Sequence, residues 1–134
     1  MTFSNLKITP KIAELCGIIT GDGHLSKYIT KRRTNYKIII SGNKTEEVEY
    51  FKYISELFYT IFNKRPKLRV EKEYARLCID SKPILEFFEN IGIKVGNKTR
   101  SASIPKRLTK NKELTNAFLR GLADTDFGIS FKKF

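Results

Sequence analysis

The chain has 134 residues, 40% of them hydrophobic and 30% charged, which suits one globular domain with a core of its own and excludes a disordered chain. A total of 26 Lys and Arg stands against 14 Asp and Glu, and the net charge of +12 favours a polyanionic partner. No apolar run is long enough to span a bilayer, the opening MTFSNLKITPK lacks the build of a secretory signal, and Cys16 and Cys78 show no metal-ligand spacing, so a cytoplasmic, intracellular protein with reduced thiols and no membrane partner is expected.

Thr9-Pro10 pairs an N-cap with a proline at the first helical position. Ile12, Leu15, Cys16, Ile18 and Ile19 follow, apolar on most sides, so a largely buried helix is expected, ended by Gly21 and Gly23. Residues 24–43, HLSKYITKRRTNYKIIISGN, read as two strands about a polar turn near Arg33–Asn35, the second ending at Gly42. Thr45 then caps an amphipathic helix, with Glu46 and Glu47 at its positive end and Val48, Phe51, Ile54, Leu57, Phe58 and Ile61 at helical spacing. Alternation resumes over KRPKLRVEKEYARLCID, a hairpin turning near Glu73–Tyr74. Pro83 opens a short helix from Ile84 to Asn90, closed by Gly92. A basic, irregular stretch from Lys94 to Leu108 leads to a last helix, about Lys112 to Asp124. The fold class is α+β: one αββαββα unit with its basic connector over residues 1–108, and a further helix in 109–134.

Alternation sorts the strand residues by face. Lys67, Arg69 and Glu71 fall on one side, as do Arg76 and Asp80, while Leu68, Val70, Ala75, Leu77 and Ile79 fall on the other. A sheet with its apolar face under helices and its cationic face open can lie against DNA. Lys27, Lys31, Arg33, Lys37 and Lys67 would contact phosphates, and Arg69, Arg76 and Asp80 would reach base edges.

The chain also repeats itself. Residues 13–26, AELCGIITGDGHLS, align without a gap with residues 117–130, AFLRGLADTDFGIS, 104 positions on. Each copy ends a helix on an aspartate, Asp22 or Asp126, where the helix dipole disfavours negative charge by a few tenths to about 1 kcal/mol. A divalent cation, Mg²⁺ or Mn²⁺, is the natural compensation, since Mg²⁺ takes hard oxygen ligands and few protein carboxylates. Gly17 and Gly121 leave a helix face bare, so the two helices can pack backbone to backbone and bring Asp22 and Asp126 side by side. Two carboxylates sharing metal above a cationic sheet suit phosphodiester hydrolysis.

These two motifs, LCGIITGDG and LRGLADTDF, resemble the two copies of the motif that defines the LAGLIDADG homing endonucleases, and the similarity runs over the whole chain. The resemblance implies a site-specific, metal-dependent double-stranded DNA endonuclease, often intron-encoded, whose curved sheet straddles DNA. It implies Asp22 and Asp126 as metal-binding catalytic residues, Gly17 and Gly121 in the helix interface, and Lys82, in the context SKPILEFF, as the catalytic lysine near the water. Phe127 stands where the family usually has Gly, and Asn43 lies about where some members carry a glutamine near the metals. In length the chain corresponds to a first unit plus the interface helix of a second, apparently truncated after the second motif. Self-association through Ile129, Phe131 and Phe134 is therefore the expected way to cover two half-sites. The alternative is a catalytically silent DNA- or RNA-binding module, or an RNA-splicing maturase of the same fold. The strands lack the aromatic pattern of a ferredoxin-like RNA-binding domain, and the ends lack intein signals. The only histidine, His24, follows the first motif directly; it can contact phosphate or metal, and a solvated turn residue is the reading with more weight.

Overall fold

The computed structural model describes residues 3, 6–43, 48–72, 74–96 and 104–126, with the backbone alone at 43 and 124–126. Helix α1 (Pro10–Asp22) starts where the Thr9 hydroxyl accepts from Ile12 N–H at 3.4 Å, with proline at a position whose amide would go unpaired. From Ile12 to Ile19 every residue is buried, because the sheet, α2 and α4 surround this helix.

Four antiparallel strands form one sheet in the order β1-β2-β4-β3. They are β1 (Gly23–Thr30), β2 (Arg33–Asn43), β3 (Lys67–Val70) and β4 (Tyr74–Asp80). The first hairpin turns at Lys31–Arg32, not at Arg33–Asn35. Both turn residues are left-handed, φ 46° and 69°, as a two-residue type I′ turn requires. That geometry usually selects Asn-Gly, so a Lys-Arg pair gives no turn signal, whereas the polar run Arg33-Thr34-Asn35 imitates one. The hairpin instead projects beyond the core, with Tyr28 through Thr34 exposed. The segment after α3 guards the outer edge of β1: Gly96 N–H donates to the Leu25 carbonyl at 2.9 Å, beside a parallel bridge from Val95 to Leu25.

Helices α2 (Val48–Phe62) and α3 (Lys82–Ile91) meet through an aromatic seam. Phe62 lies edge-on to Phe87 at 5.5 Å, Phe88 at 5.7 Å and Phe3 at 5.0 Å. Ser81 caps α3, its hydroxyl accepting from Ile84 N–H at 3.3 Å, and Gly92 ends it at φ 129° with Pro105 packed on its open side. The Thr45 cap with Glu46 and Glu47, the Glu73 turn residue, and Phe127, Ile129, Phe131 and Phe134 lie outside the described residues.

A one-turn 3₁₀ helix (Lys106–Leu108) leads into α4 (Lys112–Asp126), which lies along α1 in the same core, with Ala117 and Phe118 buried. At Gly17 an added Cβ would collide with the carbonyl oxygen of Phe118, and at Gly121 with that of Glu14. Only hydrogen at these two positions allows the helices to approach this closely. The contacts are reciprocal under the 104-residue repeat. Gly17 against Phe118 and Leu122 corresponds to Gly121 against Glu14 and Ile18, so an approximate two-fold axis relates the two helices.

Candidate nucleic-acid interface and its groove

Register fixes which residues share the open face of the sheet. Lys37 stands opposite Ser26 and Asp80, Ser41 opposite Arg76, Lys67 opposite Cys78, and Arg69 opposite Arg76; residues paired in this way point to the same side. Their neighbours Leu25, Ile38, Ile40, Leu77 and Ile79 point the other way, into the core. Lys37, Lys67, Arg69 and Arg76 therefore occupy one surface with Asp80, and Arg33, paired with Thr30, extends it along the hairpin. Asp80 is held there by Lys37 at 3.7 Å. Arg69 and Arg76 sit directly across the strand pair, an arrangement of like charges that costs stability until an anion bridges it. Lys31 lies at the hairpin tip beside Arg32, a second cation there.

Lys27 is not on this surface. Its register partner is Tyr36, and its ammonium lies 3.4 Å from Glu89 of α3 and 5.7 Å from the Tyr36 ring centroid, on the helix-covered side. A two-residue turn pairs each odd residue of β1 with an even residue of β2, so Lys27 and Lys37 face opposite ways.

Asp22 ends α1 at the mouth of an open groove of about 550 Å³, lined also by His24, Ser41, Tyr74 and Arg76. No basic side chain occupies the last turn of α1 to offset the helix dipole. The cation that shares the groove with Asp22 comes from β4. Arg76 donates to the Tyr74 hydroxyl at 3.3 Å with its guanidinium 5.4 Å from that ring. The hydrogen bond to Tyr74, and after it the charge of Glu71, push the Arg76 pKa above its ordinary value. His24 is a β1 residue exposed towards the groove rather than part of a turn.

Lys82 lies elsewhere. It is the first residue of α3, 5.7 Å from the Tyr36 ring centroid, and lines a separate hollow of about 340 Å³ with Arg33, Asn35, Lys37 and Asp80. Asp22 shares its groove with Ser41 and Arg76, and Lys82 its hollow with Lys37 and Asp80, so they belong to different ends of the β2–β4 pair. The pairs Ser41–Arg76 and Lys37–Asp80 are four residues apart along β2, on the order of 13 Å at ~3.3 Å per residue. Asp126 is the last residue of α4, and its side chain is outside those described.

The donor set suits one kind of metal. Among the described residues no three His, Cys, Asp or Glu converge, so there is no all-protein cage of the structural-zinc kind. A single carboxylate opening on a solvated groove fits Mg²⁺ or Mn²⁺, which keep waters and take further oxygens from a phosphate.

No protein-family model matches the chain. Its structure is similar to that of the homing endonuclease I-DmoI. A mesophilic variant gives a TM-score of 0.69 at 20% identity, covering 87% of this chain and 61% of that one. I-DmoI in complex with DNA and Mn gives 0.68 at 22% identity, with coverage of 87% and 61%. The chain has the LAGLIDADG homing-endonuclease fold. In sequence it is 30% identical over 129 residues to the replication factor C small subunit of Methanocaldococcus jannaschii, covering 95% of this chain and 6% of that protein. It is also 27% identical over 120 residues to the glutamine–fructose-6-phosphate aminotransferase of the same archaeon, covering 88% and 10%. The chain thus spans a tenth or less of these curated relatives, and about three-fifths of I-DmoI. No helix among the described residues is long and apolar enough to cross a membrane.

Proposed function

We propose that this chain is the DNA-facing unit of a metal-dependent, site-specific double-stranded DNA endonuclease of the LAGLIDADG type. One observation carries the reading: Asp22, at the end of a buried motif helix, opens into the same groove as Arg76, at the margin of a cationic sheet face. The face would lie in the major groove, with Lys37 and Lys67 on phosphates and Arg69 within reach of bases. Asp22 would hold Mg²⁺ or Mn²⁺, with Asp126 of the second motif as the other carboxylate. When bound, such an ion polarises the phosphodiester and lowers the pKa of an attacking water. Arg76 would hold the scissile phosphate and offset its charge. The likeness to a homing endonuclease solved in complex with DNA and Mn supports the reading. The activities named for the two archaeal relatives do not carry over: they differ from each other, and the similarity occupies a small share of each.

One four-stranded sheet spans one half-site, so cutting both strands would need a second unit, continued beyond α4 or supplied in trans. The test is nicking of a supercoiled plasmid library with and without chelator, alongside duplex binding. Nicking should require Mg²⁺ or Mn²⁺ and vanish in Asp22→Asn while that variant still binds DNA. Duplex binding indifferent to salt would overturn the reading altogether. Salt-dependent binding without nicking would favour the catalytically silent binding module.

A further inference from the structure

Glu14 is the one charged residue buried in the described core, and the nuclease reading gives it no task. It lies in the middle of α1, its side chain 6% exposed. One carboxylate oxygen accepts from the Tyr53 hydroxyl of α2 at 2.8 Å, and the other faces the Arg120 guanidinium of α4 at 3.5 Å. A buried carboxylate is costly unless it is paired, so it should be read by what it selects rather than by what it stabilises.

The selection becomes visible through the two-fold relation of the motif helices. Moving 104 residues along the repeat turns Glu14 into Phe118 and Arg120 into Cys16. The counterpart of the ion pair is therefore an apolar pair, with Cys16 and Phe118 both buried. The backbones of α1 and α4 are packed symmetrically at Gly17 and Gly121, but the side chains flanking the crossing are charged on one side and greasy on the other.

We infer that Glu14 and Arg120 form a pairing code that joins α1 to α4 and rejects the two like pairings. Were a second copy's α1 to take the place of α4, each Glu14 would face a buried Cys16, leaving two carboxylates without their cation. Were α4 to pair with α4, each Arg120 would face a Phe118. Only the mixed pair matches charge to charge and ring to thiol, the logic by which buried polar residues fix register and partner in coiled coils. The partner this α1 face accepts is a helix with glycine at the crossing and a cation one residue before it. Its own α4 meets that description and, being tethered, outcompetes any free copy. Two chains joining through their motif helices must then exchange α4 rather than pair α1 with α1.

Complementary charge reversal tests this. In Arg120→Glu, two carboxylates face each other, and amide-exchange protection of α4 should fall at least tenfold while that of the sheet holds. Arg120 is 60% exposed, so this change spares the core. Glu14→Lys should free α4 in the same way. Mixed in equal amounts, the two variants can exchange α4 so that the introduced lysine meets the introduced glutamate and the native Glu14 meets the native Arg120. Sedimentation should then show a dimer that neither variant forms alone. If Arg120→Glu keeps α4 as protected as in the natural chain, the code is wrong. The same holds if Arg120→Glu dimerises alone through paired α1 helices. Should Glu14→Lys fail to fold, mixing Arg120→Glu with Arg120→Lys serves instead: no mixed dimer should form, and its appearance would overturn the proposal.

Discussion

The two ends of the β2–β4 strand pair are built alike and differ in chemistry. Each has a helix terminus, a cation and a carboxylate beside a solvent-filled hollow. At the Lys82 end the charges already answer each other: Lys37 lies 3.7 Å from Asp80, and α3 presents its positive N-terminus. At the other end Asp22 closes a helix at its negative terminus, and Arg76 stands across from Arg69 of the same sign. The first end is matched within the chain; under the proposed function the second would receive a ligand that brings both phosphate and metal. Cationic residues are plentiful at both, so charge alone does not distinguish them; the polarity of the adjoining helix does.

The sharpest way to break this comparison is to remove one charged group at each end. Asp22→Asn should lower metal-dependent cleavage by about 10³-fold, equivalent to about 4 kcal/mol of barrier. Lys82→Ala should change cleavage by less than about threefold, because Lys82 lines the hollow at Lys37 and Asp80 rather than the Asp22 groove. Nicking rates at saturating DNA make the measurement. A loss as large in Lys82→Ala as in Asp22→Asn would mean that DNA brings the two ends together.

Next in size is the joint that holds the Asp22 end in place. Gly17→Ala drives a methyl into the Phe118 carbonyl and should cost about 2 kcal/mol, lowering the melting temperature by roughly 6–10 °C. Amide exchange should quicken in α1 and α4 but not in α3. Ser81→Ala is its counterpart at the other end. Losing the cap on Ile84 N–H should cost about 1 kcal/mol and loosen the first turn of α3 while α4 stays protected.

How much of this was legible in the sequence follows from which signals are local. The cap at Thr9, the prolines at 10 and 83, the glycine at 92 and the motif repeat depend on a few neighbouring residues, and α1, α3 and the α1–α4 packing follow from them. The hairpin tip depends on two left-handed residues of types that seldom adopt that conformation, so composition pointed two residues too far along. A three-residue turn would put Lys27 on the face of Lys37, whereas the two-residue turn puts it on the other. The distance between Lys82 and Asp22 was illegible for another reason. It depends on strand register across the sheet, which no local pattern encodes. Glu14 could have been found, since a lone acid in an otherwise apolar helix face requires a partner, and Arg120 stands one residue from the repeated glycine.

The smallest expected effect tests the parity argument directly. Lys27 and Lys67 carry the same charge on the same sheet, but on opposite sides. Lys67 shares the open face with Arg69 and Arg76, so Lys67→Ala should reduce the salt dependence of duplex binding by about one counterion and weaken it uniformly across sequences. Lys27 faces α3, where its ion pair with Glu89 is 39% and 35% exposed and is therefore worth no more than about 1 kcal/mol. Lys27→Ala should leave the salt slope unchanged and lower stability only slightly. Binding isotherms of both variants over a range of salt concentrations separate the two roles. Equal slopes for the two would return Lys27 to the DNA surface and, with it, the turn to Arg33–Asn35.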